Sequence, residues 1–164
     1  MQTQGDQEED GVLPDAISYK RRLQELAGRL NRERIEDLNE QITALREASQ
    51  LETKSSAGDK YETGRERINQ RLDMLVQQSA LCKEGDHFLK KIKIVSQDRV
   101  EEGALLQLSF GWIWIAISLG KISIDGREIQ LVSVRSPLVQ SLILQKKGHR
   151  VDFRGKQVEI MGIW

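Results

Sequence analysis

Two apolar stripes at helical spacing run through the first half of this chain. In the first, Leu23, Leu26, Leu30, Ile35, Leu38, Ile42, Leu45 and Leu51 recur mostly at intervals of three and four. That spacing puts them on one face of a helix whose other faces are charged. So narrow a stripe suits one partner helix rather than a globular core. Asp15, following Pro14, stands where an N-cap is needed. The pattern stops at Thr53-Lys54-Ser55-Ser56-Ala57-Gly58, whose small polar residues predict a turn. A second stripe follows: Ile68, Leu72, Leu75, Ser79 and Cys82, then Leu89 and Ile92, with Gly85-Asp86 predicting a kink or a frayed turn between them. Two such stripes joined by a short turn fold back on each other. The spacing therefore predicts an antiparallel helical hairpin, a coiled coil over residues 12–96 with its tip near 53–62. Arms of about 35 residues are roughly 50 Å long.

The remainder reads differently. Residues 1–11 are polar and acidic, with too little apolar surface to order themselves, and predict a disordered tail. Residues 97–164 hold all three tryptophans and most of the β-branched runs. Short strands are predicted at 104–108, 112–117, 121–124 and 128–134, with Asp125-Gly126 as the strongest hairpin signal. Ser136-Pro137 opens a short helix as N-cap and first helical residue, carrying Leu138, Leu142 and Ile143 on its apolar face and ending at Gly148. A last hairpin turns at Arg154-Gly155. The sum is an α+β chain: a helical hairpin, then an antiparallel sheet with one helix packed on it. Phe110, Trp112 and Trp114 alternate with Ile113, Ile115 and Ile117, so both faces of that strand are apolar and both need covering.

Composition removes several functions. The chain has 25 Lys+Arg against 25 Asp+Glu and no net charge. It lacks the cationic surplus of a general DNA coat or a polybasic membrane binder. Its longest apolar run, around Ile113 to Leu119, is far too short to span a bilayer. A single cysteine, Cys82, excludes an internal disulfide and suits a reducing cytoplasm, and two distant histidines make no readable zinc site.

Two stretches then carry a resemblance. Gly58-Asp59-Lys60-Tyr61-Glu62-Thr63 is similar to the Gly-Asp-x-x-Glu-Asn loop of the bacterial Gre family of transcript cleavage and elongation factors. Ser133 to Gly148 resembles that family's Ser-Pro-hydrophobic segment, although Val139 and Leu144 stand where small residues or glycine are usual. The resemblance implies an FKBP-like fold for residues 97–164. It implies a cytoplasmic partner of bacterial RNA polymerase, associated with transcription elongation, its regulation and DNA binding. The hairpin would enter the polymerase's secondary channel and stimulate cleavage of backtracked RNA, touching nascent RNA only indirectly. Asp59 and Glu62 would be the catalytic acids, sharing Mg²⁺ held in the polymerase active site. No cofactor would belong to the chain itself, and the nuclease would be the polymerase, so the chain alone is not an enzyme.

Blander readings stand beside these. Asp59 and Glu62 also suit a capping box. Arg65, Arg67 and Arg71 would meet RNA phosphate or acidic polymerase surface, or form a solvated face. Tyr61 would stack on a base or a polymerase side chain, or cover the hairpin end. The alternatives for the whole chain are a channel regulator without cleavage, a prolyl isomerase and a coiled-coil scaffold. The oligomeric state stays open.

Overall fold

The computed structural model describes residue 13, residues 15–52 and residues 59–164, with backbone alone at residues 52 and 59–61. The tail at 1–11 and the turn at 53–58 lie outside the described residues. The chain divides into two compact units. One comprises Leu26–Lys91. The other joins Ile92–Trp164 to the residues up to Glu25.

Two helices supply the hairpin. The first, α1, runs Ala16–Glu52 and the second, α2, runs Asp59–Lys91. Asp15 caps α1, its carboxylate accepting the Ser18 N–H at 3.0 Å. Leu38, Ile42 and Leu75 form the buried centre of the coil, with Leu45, Leu72 and Cys82 packed against it. Polar residues fix the direction. Asn31 Nδ2 donates to the Cys82 carbonyl at 2.7 Å, and Ser79 Oγ lies 3.2 Å from Asn39 Oδ1. Partners of rising number on α1 have falling number on α2, so the arms are antiparallel. The interruption expected at Gly85-Asp86 does not occur, and α2 continues to Lys91. Asp86 accounts for this: it pairs with Lys90 one turn on at 2.6 Å and with Arg32 of α1 at 3.3 Å.

The other unit is built on a six-stranded sheet. Its strands are β1 (Leu105–Leu108), β2 (Gly111–Ala116), β3 (Gly120–Ile124), β4 (Arg127–Ser133), β5 (Arg150–Phe153) and β6 (Lys156–Ile163), in the order β3-β4-β2-β1-β6-β5. The expected wholly antiparallel sheet is corrected here: β2 and β4 pair in parallel, and the sheet is mixed. The chain leaves β2 for the edge strand β3. It turns at Asp125-Gly126, both at positive φ as a two-residue hairpin demands, and returns as β4 between β3 and β2.

Both faces of β2 are covered, as its alternation requires. Ile113 and Ile115 share a core with Val139 and Leu142 of the short helix α3 (Pro137–Leu142). On the opposite face Trp112 stacks on Trp164 at 5.1 Å between ring centres. The Trp164 ring also lies over Gly162, where any Cβ would collide with it. Phe110 departs from the expected face: it sits in the turn before β2 and is 59% exposed.

The helix α3 opens as expected, with Ser136 Oγ accepting the Val139 N–H and Pro137 in the first turn. It ends well before Gly148. Leu144 takes φ 63°, and its N–H turns to the Val100 carbonyl at 2.8 Å while Val100 donates to Gln145. That pairing removes the chain from the helix.

Candidate functional site

The start of α2 is where the candidate residues gather. Asp59 is the first residue of α2 and Glu62 lies in its first turn, exposed. The side chains of Asp59 and Tyr61 lie outside the described residues. Arg65, Arg67 and Arg71 are exposed on the same helix.

Helical geometry sorts these residues into faces. At about 100° per residue, Asp59, Glu62 and Glu66 fall on one side. Arg67 and Arg71 fall together on another, about 140° or more from Glu62. Arg65 lies on the far side from that pair. The three arginines therefore do not form one basic cluster. Arg67 and Arg71 line an open groove of about 430 Å³ with Gln70, Met74, Leu75 and Gln78. Neither makes a salt bridge among the described residues.

Glu66 is the acid that sequence reading passed over. Its carboxylate accepts from Gln70 at 3.3 Å. The signal was present, since position 66 lies one helical turn after Glu62. Among the described residues no three His, Cys, Asp or Glu side chains come together as a metal site. One carboxylate at Glu62 is too little for Mg²⁺, which asks for several oxygen ligands. Among the described residues, no helix is long and apolar enough to cross a membrane.

A second group, in the sheet's unit, was also missed. Lys20 is fully buried, and its ammonium donates to the Val95 carbonyl at 2.8 Å, the Trp164 main-chain oxygen at 2.9 Å and Gln97 Oε1 at 3.2 Å. Burial lowers its pKa to about 8. Beside it Tyr19 is buried under two guanidiniums, Arg22 at 5.4 Å and Arg127 at 5.6 Å from its ring centre. Arg127 also lies over Trp112 at 4.6 Å, and Arg22 pairs with Asp125 at 2.7 Å. Burial also raises the Tyr19 hydroxyl pKa, against the lowering effect of Arg127. Tyr19 stands four residues before Leu23 and so belongs to the first stripe. Nothing in the sequence marks Lys20 as buried. The group holds the first turns of α1 in place.

The chain matches no protein-family model and no curated protein. Among solved structures it is similar to one described as "Structure of the transcription factor Gfh1". The likeness covers 79% of this chain and 92% of that one, at 17% identity and a TM-score of 0.31. A likeness at that level says nothing about the site or its chemistry.

Proposed function

We propose that this chain binds bacterial RNA polymerase, inserts its hairpin into the secondary channel and stimulates cleavage of backtracked RNA. The observation that carries this reading is the position of the first turn of α2. It begins the second of two antiparallel arms, opens with Asp59 and holds Glu62 exposed to solvent. The sequence similarity around Asp59-x-x-Glu62 and around Ser136-Pro137 supports it. The acids of the helix start would orient a water and add negative charge beside Mg²⁺ bound to polymerase carboxylates. That metal would activate the water for attack on the phosphodiester. The catalytic centre would then be the polymerase's, with this chain as its accessory in the cytoplasm.

A second reading is a channel regulator without cleavage. It is favoured by Thr63, where the similar loop has Asn, and by the Gly64-Arg65-Glu66 continuation.

The test is a halted elongation complex with backtracked RNA, incubated with Mg²⁺ and this protein. Shortened RNA is the expected result, lost in the Asp59→Asn/Glu62→Gln variant while polymerase binding is retained. Binding without shortening would select the second reading. Absence of binding would overturn both.

A further inference from the structure

The strand β5 ends the order of the sheet, so one of its sides has no neighbouring strand among the described residues. The phase of its main chain is fixed. The His149 carbonyl accepts the Ile160 N–H at 3.0 Å, and Phe153 faces Lys156 across the two-residue turn. Main-chain N–H and C=O groups alternate sides from one strand residue to the next. His149, Val151 and Phe153 therefore turn theirs to β6, while Arg150 and Asp152 present theirs at the open edge. Such a row is a template for another strand.

The charge around this edge is one-sided. Residues 146–156 carry five basic side chains, Lys146, Lys147, Arg150, Arg154 and Lys156, and one acid, Asp152, in a chain with no net charge. All six are exposed. Asp152 is turned into its own hairpin, its carboxylate accepting the Gly155 N–H at 3.0 Å. Lys147, Arg154 and Lys156 make no salt bridge among the described residues. These charges decide what can lie alongside. A second copy of β5, run antiparallel, would set its own Arg154 and Lys156 beside Lys147, and like charges repel an edge from its own kind. A nucleic acid strand would meet the cations but has no ladder of N–H and C=O groups for the open edge. It would also find no free ring to stack on, since Phe153 is half-buried with the Arg154 guanidinium 5.3 Å from its ring centre.

We propose that the open edge of β5 binds an extended acidic segment of a partner protein, which joins the sheet as an added strand. It runs antiparallel, the stronger pairing, and main-chain bonds to Arg150 and Asp152 seat it. Side chains opposite Val151 and Phe153 fall on the face where those two pack against the core beneath α3, and are apolar. The side chain opposite Arg150 falls on the other face and is acidic, and the one opposite Asp152 is neutral. Arg150 serves this acid while keeping Glu159, because a guanidinium has several donors. Further acids at the two ends meet Lys147 on one side and Arg154 and Lys156 on the other. The inference stands apart from the polymerase reading and survives its failure.

The probe is the peptide Glu-Glu-Val-Thr-Val-Glu-Glu, titrated into the full chain and followed by amide NMR. The Arg150 and Asp152 amides are expected to shift most, and the affinity to fall as salt rises. The Lys147→Glu/Lys156→Glu variant should bind roughly tenfold more weakly, with its circular dichroism unchanged. N-methylation of the peptide at its threonine and at the next-to-last glutamate removes the donors that face the edge, and should weaken binding by roughly the same factor. Neutralising Asp6, Glu8, Glu9 and Asp10 of this chain should leave the affinity as it was. A large gain there would mean that the chain's own acids fill the edge, and would overturn the proposal. So would absence of binding at millimolar peptide, an affinity indifferent to N-methylation or to the lysine substitutions, or tighter binding of a single-stranded RNA of the same length.

Discussion

Lys20 makes a measurable claim at the scale of a single residue. Its ammonium is buried with three oxygen acceptors, and burial holds its pKa near 8 rather than the ordinary 10.5. The unfolded chain therefore keeps this proton more tightly than the folded one. Stability should rise with pH from about 8 to about 10, by at most about 3 kcal/mol from this group. Lys20→Met removes the titrating group at similar volume. Denaturant melts across that window should show the rise in the parent and not in the variant, and parallel curves would contradict the burial of a charged Lys20. Leu144 makes a second claim. It holds φ 63°, a left-handed backbone that costs a side chain with a Cβ about 1 kcal/mol, and 60% of its surface is exposed. Leu144→Gly should raise stability by about that much, since little packing is lost, and a lowered melting midpoint would refute the strain. The turn toward Val100 is what puts Leu144 in that conformation.

At the scale of elements, the coil was the most legible part. Leu38, Ile42 and Leu75 form its centre because three-and-four spacing leaves a helix no other way to hide them. The hairpin turns at Asp125-Gly126 and Arg154-Gly155 were legible for a similar local reason, since both first residues take positive φ beside a glycine. The parallel pairing of β2 with β4 was not. Alternation tells which face a residue occupies, and no local pattern tells which strand will lie beside it. The end of α3 was misread because a contact from Val100, far away in sequence, outweighed the local apolar pattern. The site was legible as residue types at the start of α2, and the division of its acids and arginines into separate faces followed only from the helix phase. Asn31 offers a test of what the coil's polar residues do. It is buried at 2% exposure and its amide reaches a carbonyl on the other arm. Such a residue fixes register at a cost in stability. Asn31→Leu should raise the melting temperature while loosening the alignment of the arms, seen as broadened amide resonances near Cys82. A lowered melting temperature would mean that the hydrogen bond outweighs the apolar gain.

At the scale of the whole molecule, the division into units cuts through a continuous helix. Residues 16–25 of α1 belong with the sheet, and the rest of α1 belongs with α2. Tyr19 and Leu23 are buried at 4% and 0%, and Lys20 ties the same turns to residues 95, 97 and 164. Burying one tyrosine and one leucine is worth about 4 kcal/mol. A unit of this size has a total stability of about 5–10 kcal/mol, so that contribution decides whether it folds cooperatively. Removing residues 1–25 should therefore unfold or loosen the sheet unit. Trp164 would lose its main-chain bond to Lys20, and the Arg127 guanidinium over Trp112 would lose the Tyr19 ring, so tryptophan fluorescence should shift to the red with a broad, uncooperative melt. The coil over Leu26–Lys91 keeps its own buried centre at Leu38, Ile42 and Leu75, so helical circular dichroism should largely persist in the same sample. Loss of both signals together would mean that the two units fold as one. A sharp melt with unshifted tryptophans would mean that the strands and α3 suffice, and that the first turns of α1 only rest on a sheet already complete.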